Sequence, residues 1–459
     1  MKKLNIRNKD LRRLGYPADI IPVVMKTAHK QFRGQLNKTG VLEILDRLIS
    51  SPDDFREDTV WSEIAGELVE SKNKPGVLSE KVELVKRKNY RIFGDDYIDE
   101  GSRIQMDMAM QLPIALQGAL MPDAHQGYGL PIGGVLAVDN AVIPYGVGMD
   151  IGCRMCLSVF SLGTEILNHK LDWLKSILLN NTHFGKKDMR VRNDHEVMER
   201  QEFKEIKILR SLKDKAYSQL GSSGSGNHFV EFGILEILDD KHPLFPGKGP
   251  FLALLSHSGS RNFGAGIASY YTRLAKQSCK LPSGAKNLAW FYLDTNEGQE
   301  YWKAMNLAGD YASANHYIIH QKISKVLGEQ PIVVIENHHN FAWKEKLDNG
   351  KEAIVHRKGA TPASLHTTGI IPGSMATPGF VVSGKGNMES INSASHGAGR
   401  LMSRNEAKKR FSKKDLDHFL KKAGIELIGG DIDESPFAYK NIEKVMALQE
   451  ELVNIIAIF

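Results

Sequence analysis

Hydrophobic and polar positions follow a helical period in the N-terminal part of the chain. The segments GVLEILDRLISS (40–51) and WSEIAGELVES (61–71) place apolar residues three and four positions apart. This is the spacing of amphipathic helices. We therefore predict a helical N-terminal extension over residues 1–90, in which no catalytic motif is visible.

The pattern changes from about residue 110 onward, where short apolar runs end in glycine-rich turns. Examples are residues 133–152, 251–261 and 331–340. In each of them polar residues directly follow the apolar run, as in buried strands whose end loops carry function. We predict a single large α+β domain over residues 91–459.

Three further segments are predicted to be helical. Segment 186–220 is rich in charge, which fits a solvated helix face or a surface for nucleic acid. Near the C-terminus, Ser412 precedes KKDLDHFLKKAG, and Ser435-Pro436 precedes the segment 437–459. Serine before the first turn and proline within it are typical of helix starts, so two helices are expected there.

Composition and charge narrow the class of protein. Hydrophobic residues make up 42% and charged residues 25% of the 459-residue chain, as in a globular protein that dissolves in water. The basic N-terminus lacks the apolar stretch of a signal peptide, and no apolar run approaches the roughly 20 residues of a membrane helix. A cytoplasmic location is therefore expected. The net charge of +6 permits a polyanionic partner without requiring one.

Side chains that bind metals follow the apolar runs at four places. They are Asp150 and Cys153 in GVGMDIGC, His228 in GSGNHFVE, His257 in HSGSR and His339 in IENHHN. Carboxylate, thiolate and neutral imidazole groups hold divalent transition metals, and on ligand chemistry alone this set favours zinc. Five such residues at four similar strand ends predict a metal site.

The three cysteines are too few for a disulfide framework. Cys153 and Cys156 are spaced as C-x-x-C, which also occurs in redox proteins. Positions three apart in a strand point to opposite faces, so we expect the two sulfur atoms to diverge. Cys156 is then interpreted as a buried core residue, and redox chemistry is the weaker interpretation.

Three glycine-rich turns have backbone N–H groups that could cradle an anion, at 221–227, 371–379 and 393–400. Glu231 lies shortly after the first turn, and a carboxylate can accept both hydrogen bonds from a guanine edge. The chain contains no G-x-x-x-x-G-K-[ST] motif, which excludes a P-loop nucleotidase.

The third turn carries His396 among serine, alanine and glycine residues. Such small neighbours allow a ligand to approach the imidazole closely. Arg400 and Arg404 follow, and their guanidinium groups either anchor the loop or contact phosphate.

Several long motifs together resemble those of one family, the RtcB-type RNA ligases. The resemblance covers roughly residues 90–450, and its motifs occur in the family's order: MPDAHQGYGLPIGG, GVGMDIGC, GSGNHFVE, HSGSR, HRKGAT, IPGSM and SxxHGAGRxMSR. It implies a GTP- and Mn²⁺-dependent enzyme that joins RNA 3′-phosphate or 2′,3′-cyclic phosphate ends to 5′-hydroxyl ends. RNA, GTP and an archease-type activator would be its partners.

The resemblance also implies roles for individual residues. Asp150, Cys153, His228, His257 and His339 correspond to a site for two manganese ions, bridged by the thiolate of Cys153. His396 corresponds to the histidine that becomes linked to GMP. The implied guanylate pocket consists of Asn227, His228, Glu231, His339, Asn340, Pro372, Gly373, Ser374, Met375, Gly379, His396, Gly397, Ala398 and Gly399.

Two alternatives remain open at the level of sequence. A metal-dependent phosphodiesterase acting on RNA ends would use the same ligands and need neither His396 nor GTP. A non-catalytic RNA-binding relative would rely on its basic helices and tolerate the loss of Cys153.

The chain departs from the family pattern at three positions. Gly379 replaces a serine that many members have, which removes one hydroxyl group facing the nucleotide. Arg154 replaces a common glycine and is expected to add charge near the metals. The sequence ends at Phe459, where members usually continue to a terminal lysine, so either more chain follows or the pocket is altered.

Overall fold

The computed structural model describes residues 6–16, 20–32, 38–73, 81–185 and 192–459. The chain forms two compact units, Met1–Val77 and Leu78–Phe459, which divide before the predicted boundary at residue 90. The helices of the first unit are α1 (Asn8–Arg13), α2 (Ile21–Gln31), α3 (Lys38–Ser50) and α4 (Ser62–Asn73).

The first unit has a hydrophobic core of its own. Val24 of α2, Leu45 and Leu48 of α3 and Trp61 are buried in it. The amphipathic spacing over 40–51 and 61–71 therefore predicted α3 and α4 correctly, and the buried positions are the apolar ones.

The second unit combines helices and strands, which confirms the predicted α+β class. Its helices are α5 (Glu100–Ala109), α6 (Pro144–Val147), α7 (Ile166–His169), α8 (Leu171–Asn181), α9 (Glu202–Glu205), α10 (Lys207–Gln219), α11 (Arg261–Ser278), α12 (Asn296–Leu327), α13 (Arg404–Arg410), α14 (Lys413–Lys422) and α15 (Ile442–Ala447).

The strands follow almost all of the apolar runs of the sequence. They are β1 (Arg91–Ile92), β2 (Ala115–Tyr128), β3 (Leu130–Val138), β4 (Ala141–Val142), β5 (Arg154–Phe160), β6 (Phe229–Ile237), β7 (Phe251–Ser258), β8 (Phe291–Tyr292), β9 (Val333–His338), β10 (Asn340–Lys346), β11 (Glu352–Lys358), β12 (Ala360–Pro362), β13 (Thr368–Ile371), β14 (Phe380–Gly384), β15 (Ser393–Ser395) and β16 (Val453–Ile458).

Two larger sheets organise the described part of this unit. One has the order β1-β2-β3-β11-β10, and the other has the order β13-β14-β16-β6-β7-β5-β9. Strand β5 lies between β7 and β9 and is antiparallel to both. The start of β5 therefore lies beside the ends of its two neighbours, which decides where the polar strand ends meet.

The long helix α12 packs against β5 and β7. Thr295 caps its N-terminus by accepting a hydrogen bond from the Gly298 amide at 3.1 Å. Gly152, in the turn before β5, has a φ of +70°, and a side chain there would meet the Cα of Gly309 on α12 at 2.9 Å. Glycine at 152 therefore allows the turn before β5 to approach the helix closely.

The C-terminal segment differs from its prediction. Pro436 begins only a short 3₁₀ turn, Pro436–Ala438, and Asn441 then caps the short helix α15. The last six residues before Phe459 form strand β16, which pairs with β14 and β6. The predicted single helix over 437–459 is therefore wrong, because strand pairing of the β-branched run VNIIAI prevails over the helix-start signal.

The charged segment 186–220 is described from residue 192, and its first residues, 186–191, lie outside the described ranges. A 3₁₀ turn at Glu196–Glu199 precedes α9 and α10, so the helical prediction is confirmed for the later part. None of the described helices is both long enough and apolar enough to cross a lipid bilayer.

Candidate active site

Four strand ends meet around Cys153, which directly precedes β5. The register pairs Met155 with His257 on β7, and His257 in turn pairs with Phe229 on β6. His228 precedes Phe229, and His339 follows the last residue of β9. The antiparallel register therefore brings three histidines from distant parts of the sequence to one cysteine.

Distances within this cluster are short. The Cys153 Sγ lies 3.4 Å from the His228 Nε2 and 3.2 Å from the His257 Nε2. The Nε2 atoms of His257 and His339 are 3.4 Å apart. The Asp150 Oδ2 is 3.0 Å from the His228 Nε2. All five residues predicted as metal ligands thus lie in one cluster.

The ring orientations fit a bound cation. The Asn227 carbonyl oxygen accepts a hydrogen bond from the His257 Nδ1 at 2.9 Å, which leaves the lone pair of Nε2 facing the cluster. The Nδ1 atoms of His228 and His339 are buried without a hydrogen-bond partner. Imidazole nitrogens and a sulfur that face one another at these distances repel unless protons or cations lie between them, so the donor set fits transition-metal binding.

Burial favours the neutral forms of several groups in the cluster. It lowers the pKa of His257 to about 3 and that of His339 well below its usual range. It also raises the pKa of the Cys153 thiol, and the neighbouring carboxylate of Asp150 raises it further. Neutral imidazole is the form that binds metals, and the thiol must lose its proton to do so.

His396 lies at the edge of this cluster. Its ring centroid is 5.0 Å from that of His339. The His396 Nδ1 is 2.6 Å from the Oδ2 of Asp123, and the His396 backbone amide donates to the same oxygen at 3.1 Å. Since the Nδ1 proton is donated to the carboxylate, the lone pair of Nε2 is available for attack on an electrophile.

Asp123 is fully buried, and its ionised form is stabilised by its neighbour. Burial alone would raise the pKa of this carboxyl group, but the charge and hydrogen bond of His396 hold it below its usual range. The Oδ1 of Asp123 is buried without a partner. The carboxylate is therefore committed to orienting His396.

The turn that follows His396 approaches Asp123 closely. Gly399 has a φ of +74°, and a Cβ at this position would lie 2.1 Å from the backbone oxygen of Asp123. A side chain at Gly397 would meet the Pro372 oxygen at 3.2 Å, and Ala398 is buried. Glycines in this turn thus bring the turn after His396 close to Asp123 and to the loop at 372–379.

The loop at 372–379 connects β13 with β14. The Ser374 amide donates to the Thr377 Oγ1 at 2.6 Å, and the two hydroxyl oxygens are 2.9 Å apart. Pro372, Gly373 and Met375 are partly exposed. The loop therefore has a defined turn that is accessible to a ligand.

Three other residues predicted for the guanylate pocket differ in their burial and contacts. Glu231 on β6 is partly buried, and burial raises its pKa to about 7. Asn227 is exposed, and its side-chain oxygen accepts a hydrogen bond from Arg404 at 3.4 Å. Asn340 lies deeper, where its Oδ1 accepts from the Gly359 amide at 2.8 Å and its Nδ2 donates to the Asp150 backbone at 3.4 Å. In this arrangement Asn340 supports the turn carrying Asp150.

Two of the departures from the family pattern lie next to each other. Gly379 and Phe459 exchange two backbone hydrogen bonds, at 3.0 and 2.8 Å. The Phe459 ring packs on Gly233, where a side chain would meet the ring at 2.6 Å. Since Gly233 and Glu231 share a face of β6, the ring lies on the same face as the predicted base-reading carboxylate.

The third departure, Arg154, does not add free charge to the cluster as expected. Its guanidinium group forms an ion pair with Glu336 and donates to the Gly309 carbonyl at 2.8 Å. Successive residues of a strand point to opposite faces of the sheet, so Met155 lies on the face of the Cys153 cluster and Arg154 on the α12 face. There the charge of Arg154 is compensated by Glu336.

Neighbouring polar residues are separated by the structure into different environments. His338 stacks on Trp343 with ring centroids 5.0 Å apart, so His339 is the residue of this pair in the cluster. Arg400 donates to Glu434 at 3.0 Å and to the Asp433 carbonyl at 2.6 Å, which makes it a loop anchor. Arg404 is about half exposed and also pairs with Glu434.

Sequence reasoning did not single out three further polar residues of the quoted motifs. Asp123 is one, and Arg261 is another, with an Nη2 that donates to the Gly185 carbonyl at 2.5 Å. Lys358 donates to the Tyr128 carbonyl at 2.6 Å, and burial lowers its pKa to about 7. Each lies inside a quoted motif (MPDAHQGYGLPIGG, HSGSR and HRKGAT), so the motif was the available signal.

Comparison with known proteins identifies the class to which this fold and site belong. A family model described as tRNA-splicing ligase RtcB matches residues 105–459, and the chain belongs to this RtcB family. The RNA-splicing ligase RtcB of Escherichia coli K12 is 34% identical over 391 residues, covering 78% of this chain and 92% of that protein.

Relatives in other domains of life are also similar to the chain. The tRNA-splicing ligase RtcB of Methanococcus maripaludis is 32% identical, covering 77% of this chain and 90% of its own length. The RNA-splicing ligase RtcB homolog 1 of Entamoeba dispar is 31% identical, covering 74% and 76%. The family predicted from the motifs is therefore confirmed.

Proposed function

We propose that this protein is a GTP-dependent RNA ligase that joins RNA 3′-phosphate or 2′,3′-cyclic phosphate ends to 5′-hydroxyl ends. The observation that carries the proposal is the position of His396. Its Nδ1 is held by the buried Asp123 at 2.6 Å, and its ring lies beside the cysteine–histidine cluster. A histidine oriented in this way is suited to nucleophilic attack on a phosphate.

The first step is the attack of the His396 Nε2 on the α-phosphorus of GTP. A P–N bond forms, the bond to the pyrophosphate oxygen breaks, and pyrophosphate leaves. The carboxylate of Asp123 keeps the Nδ1 proton in place and stabilises the positive charge that develops on the ring. Backbone N–H groups of residues 397–399 would donate to phosphoryl oxygens.

The second and third steps transfer and release the guanylate. A 2′,3′-cyclic phosphate end is first hydrolysed by water to a 3′-phosphate. An oxygen of the RNA 3′-phosphate then attacks the phosphorus of the histidine-linked GMP, which breaks the P–N bond and forms an anhydride. The 5′-hydroxyl of the second RNA then attacks the 3′-phosphorus and loses its proton to the solvent, a phosphodiester forms, and the anhydride bond breaks so that GMP leaves. Covalent catalysis divides one difficult joining reaction into easier exchanges.

The cluster of Asp150, Cys153, His228, His257 and His339 would hold two divalent cations, for which the family resemblance indicates manganese. When bound, such ions neutralise phosphate charge and acidify water. Glu231 would accept hydrogen bonds from the guanine edge, with the loop at 372–379 and Asn227 at the rim of the pocket. The family resemblance also implies an archease-type activator, so tests with purified protein would include such an activating protein.

A joining assay distinguishes this function from the alternatives. An RNA with a labelled 3′-phosphate is incubated with a 5′-hydroxyl RNA, Mn²⁺ and either GTP, ATP or no nucleotide. We expect a joined product only with GTP, together with GMP release. Phosphate removal or cyclic phosphate opening without GTP and without joining would indicate the phosphodiesterase instead, and RNA binding without any reaction would indicate a non-catalytic relative.

A further inference from the structure

A second cluster of metal-binding side chains lies behind the first, on the other face of the sheet. His316 and His320 are one turn apart on α12, so they share a face of that helix. Cys156 on β5 faces them. Each of the three residues offers one potential ligand atom, and these three atoms lie within 4.8 Å of one another.

The alternation of side chains along β5 separates the two clusters. Cys156 pairs with Ser256 on β7, whereas Met155 pairs with His257. Ser256 and His257 therefore point to opposite faces of the sheet. Of the two cysteines of the C-x-x-C motif, Cys153 belongs to the first cluster and Cys156 to the second. The prediction that the two sulfur atoms diverge is therefore confirmed.

Cys156 is buried, as predicted, but its neighbours are polar. His316, His320 and Cys156 are 0%, 6% and 4% exposed. The Cys156 Sγ lies 4.0 Å from the His320 Nδ1. Two imidazoles and a thiol are rarely buried together in a protein interior, because each of these polar groups needs a bonding partner there.

One nitrogen of His316 and one nitrogen of His320 both face the Ser256 hydroxyl oxygen. The His316 Nε2 donates to the Ser258 carbonyl at 3.3 Å, so its Nδ1 presents a lone pair. That Nδ1 lies 2.6 Å from the Ser256 Oγ, and the His320 Nε2 lies 2.7 Å from the same oxygen. The Ser158 hydroxyl, 2.7 Å from the His320 Nδ1, supports the second ring.

We propose that Cys156, His316 and His320 form a second metal site that binds a structural divalent cation such as zinc. The Ser256 hydroxyl oxygen would be the fourth donor. Cysteine sulfur and imidazole nitrogen are the ligand types of structural zinc sites, and the buried position leaves no open coordination position for a substrate. This donor set contains no carboxylate, so it selects zinc over manganese more strongly than the first cluster does.

Binding at this site is an exchange of a proton for a cation. The Cys156 S–H bond breaks, the sulfur–metal bond forms, and one proton passes to the solvent, with no oxidation or reduction. Burial and the neighbouring Glu336 raise the pKa of the Cys156 thiol, so the cation must displace this proton. Burial lowers the pKa of His320 to about 3, so its imidazole needs no deprotonation.

The consequence would be a fixed connection between α12 and the sheet that carries the first cluster. Ser258, which accepts the hydrogen bond from His316, directly follows His257. A cation held between α12 and β5 would therefore stabilise the strand ends at which the first cluster is assembled. This inference concerns different residues from the proposed ligase mechanism and does not depend on it.

Anomalous diffraction tests the site in the unmodified protein. Crystals of the 459-residue chain are grown with zinc, and data are collected on both sides of the zinc absorption edge. We expect an anomalous peak enclosed by Cys156, His316, His320 and Ser256. A peak at the Cys153 cluster with none at the second cluster would overturn the proposal and leave a hydrogen-bonded chain of serines and histidines there.

Cobalt spectroscopy gives an independent test in solution, because a thiolate bound to Co²⁺ absorbs in the near ultraviolet. The Cys153→Ala variant removes the thiolate of the first cluster and should keep such a band. The band should vanish in Cys153→Ala/Cys156→Ser and persist in Cys153→Ala/Cys279→Ser, where Cys279 belongs to an apolar core. A folded Cys153→Ala protein without the band, or with a band that survives Cys156→Ser, would contradict the proposal.

Discussion

At the scale of single residues, the proposed chemistry depends on His396 and Asp123. The two side chains are 273 positions apart in sequence and 2.6 Å apart in the structure. The ionised, buried carboxylate selects the tautomer whose Nε2 carries the lone pair. This pairing is the reason for proposing His396 as the nucleophile.

The Asp123→Asn variant tests this orienting role. An amide can still contact the Nδ1 but does not stabilise positive charge on the ring, so we expect histidine–GMP formation to slow by about 100-fold or more. Single-turnover labelling with radioactive GTP measures the rate. Asp139→Asn, which removes an exposed carboxylate paired with Lys351, is the control and should label normally. Equal rates for Asp123→Asn and the unmodified protein would refute the assignment.

Base selection is predicted to depend on Glu231. Glu231→Gln replaces one acceptor oxygen by a donor and leaves a mismatched hydrogen-bonding group against guanine, at a cost of about 1–3 kcal/mol. The preference for GTP over ATP should then fall by about 10-fold, as measured by competition in the labelling reaction. Glu236→Gln, on the same strand but exposed, is the matched control. Unchanged discrimination in Glu231→Gln would remove Glu231 from the base-reading role.

The pKa of Glu231 also predicts a pH dependence of nucleotide binding. Burial raises this pKa to about 7, and only the ionised carboxylate accepts two hydrogen bonds from guanine. GTP affinity should therefore weaken as pH falls below about 7 and level off above it. Titration calorimetry from pH 5.5 to 8.5 measures the effect, on the order of 10-fold per pH unit at the acidic end. The same slope in Glu231→Gln would show that another group is responsible.

Close contact between elements explains the glycines around His396. Gly399 must adopt a φ of +74° while its backbone touches that of Asp123. Gly399→Ala places a methyl group 2.1 Å from the Asp123 carbonyl oxygen, so the turn and the carboxylate must move apart, and we expect histidine–GMP formation to be lost.

Gly424→Ala is the control for this prediction. Gly424 has nearly the same backbone conformation, with a φ of +70°, and its Cβ would meet no atom within 4 Å. Alanine there should cost about 1 kcal/mol of stability from backbone strain and leave labelling intact. Thermal unfolding followed by circular dichroism separates the two effects. Normal labelling in Gly399→Ala would mean that the close contact is not required.

The elements also show how far sequence patterns reach. Amphipathic spacing predicted α3 and α4, and Ser412 marked the start of α14, because these signals act within a few residues. The helix predicted after Pro436 was wrong for the opposite reason. Its strand β16 exists only through pairing with β14 and β6, which are distant in sequence.

The same distinction applies to the site. The five candidate metal ligands were singled out by their types and their positions at strand ends, and the structure brings them into one cluster. The pairing of His396 with Asp123 and the compensation of Arg154 by Glu336 were not, because each depends on a contact between distant strands. The polar surroundings of Cys156 were missed for the same reason, since the histidines beside it come from α12.

At the scale of the whole molecule, the larger unit carries every residue of the proposed mechanism. The first unit, Met1–Val77, has a separate hydrophobic core and no candidate catalytic residue among those the structure describes. The net charge of +6 suits an RNA partner, since basic proteins are attracted to polyanions over long distances. Family membership, the clustered ligands and the oriented His396 together support one mechanism, in which the protein itself carries the guanylate.

Mapping the covalent adduct tests this mechanism most directly. The 459-residue protein is incubated with Mn²⁺ and GTP labelled at the α-phosphate, and the modified peptide is identified by mass spectrometry under alkaline conditions that preserve a P–N bond. We predict one GMP on His396, its loss in His396→Ala, and normal labelling in His418→Ala, where an exposed histidine of α14 is removed. GMP attached to His396→Ala would show that another residue is the nucleophile and would contradict this account.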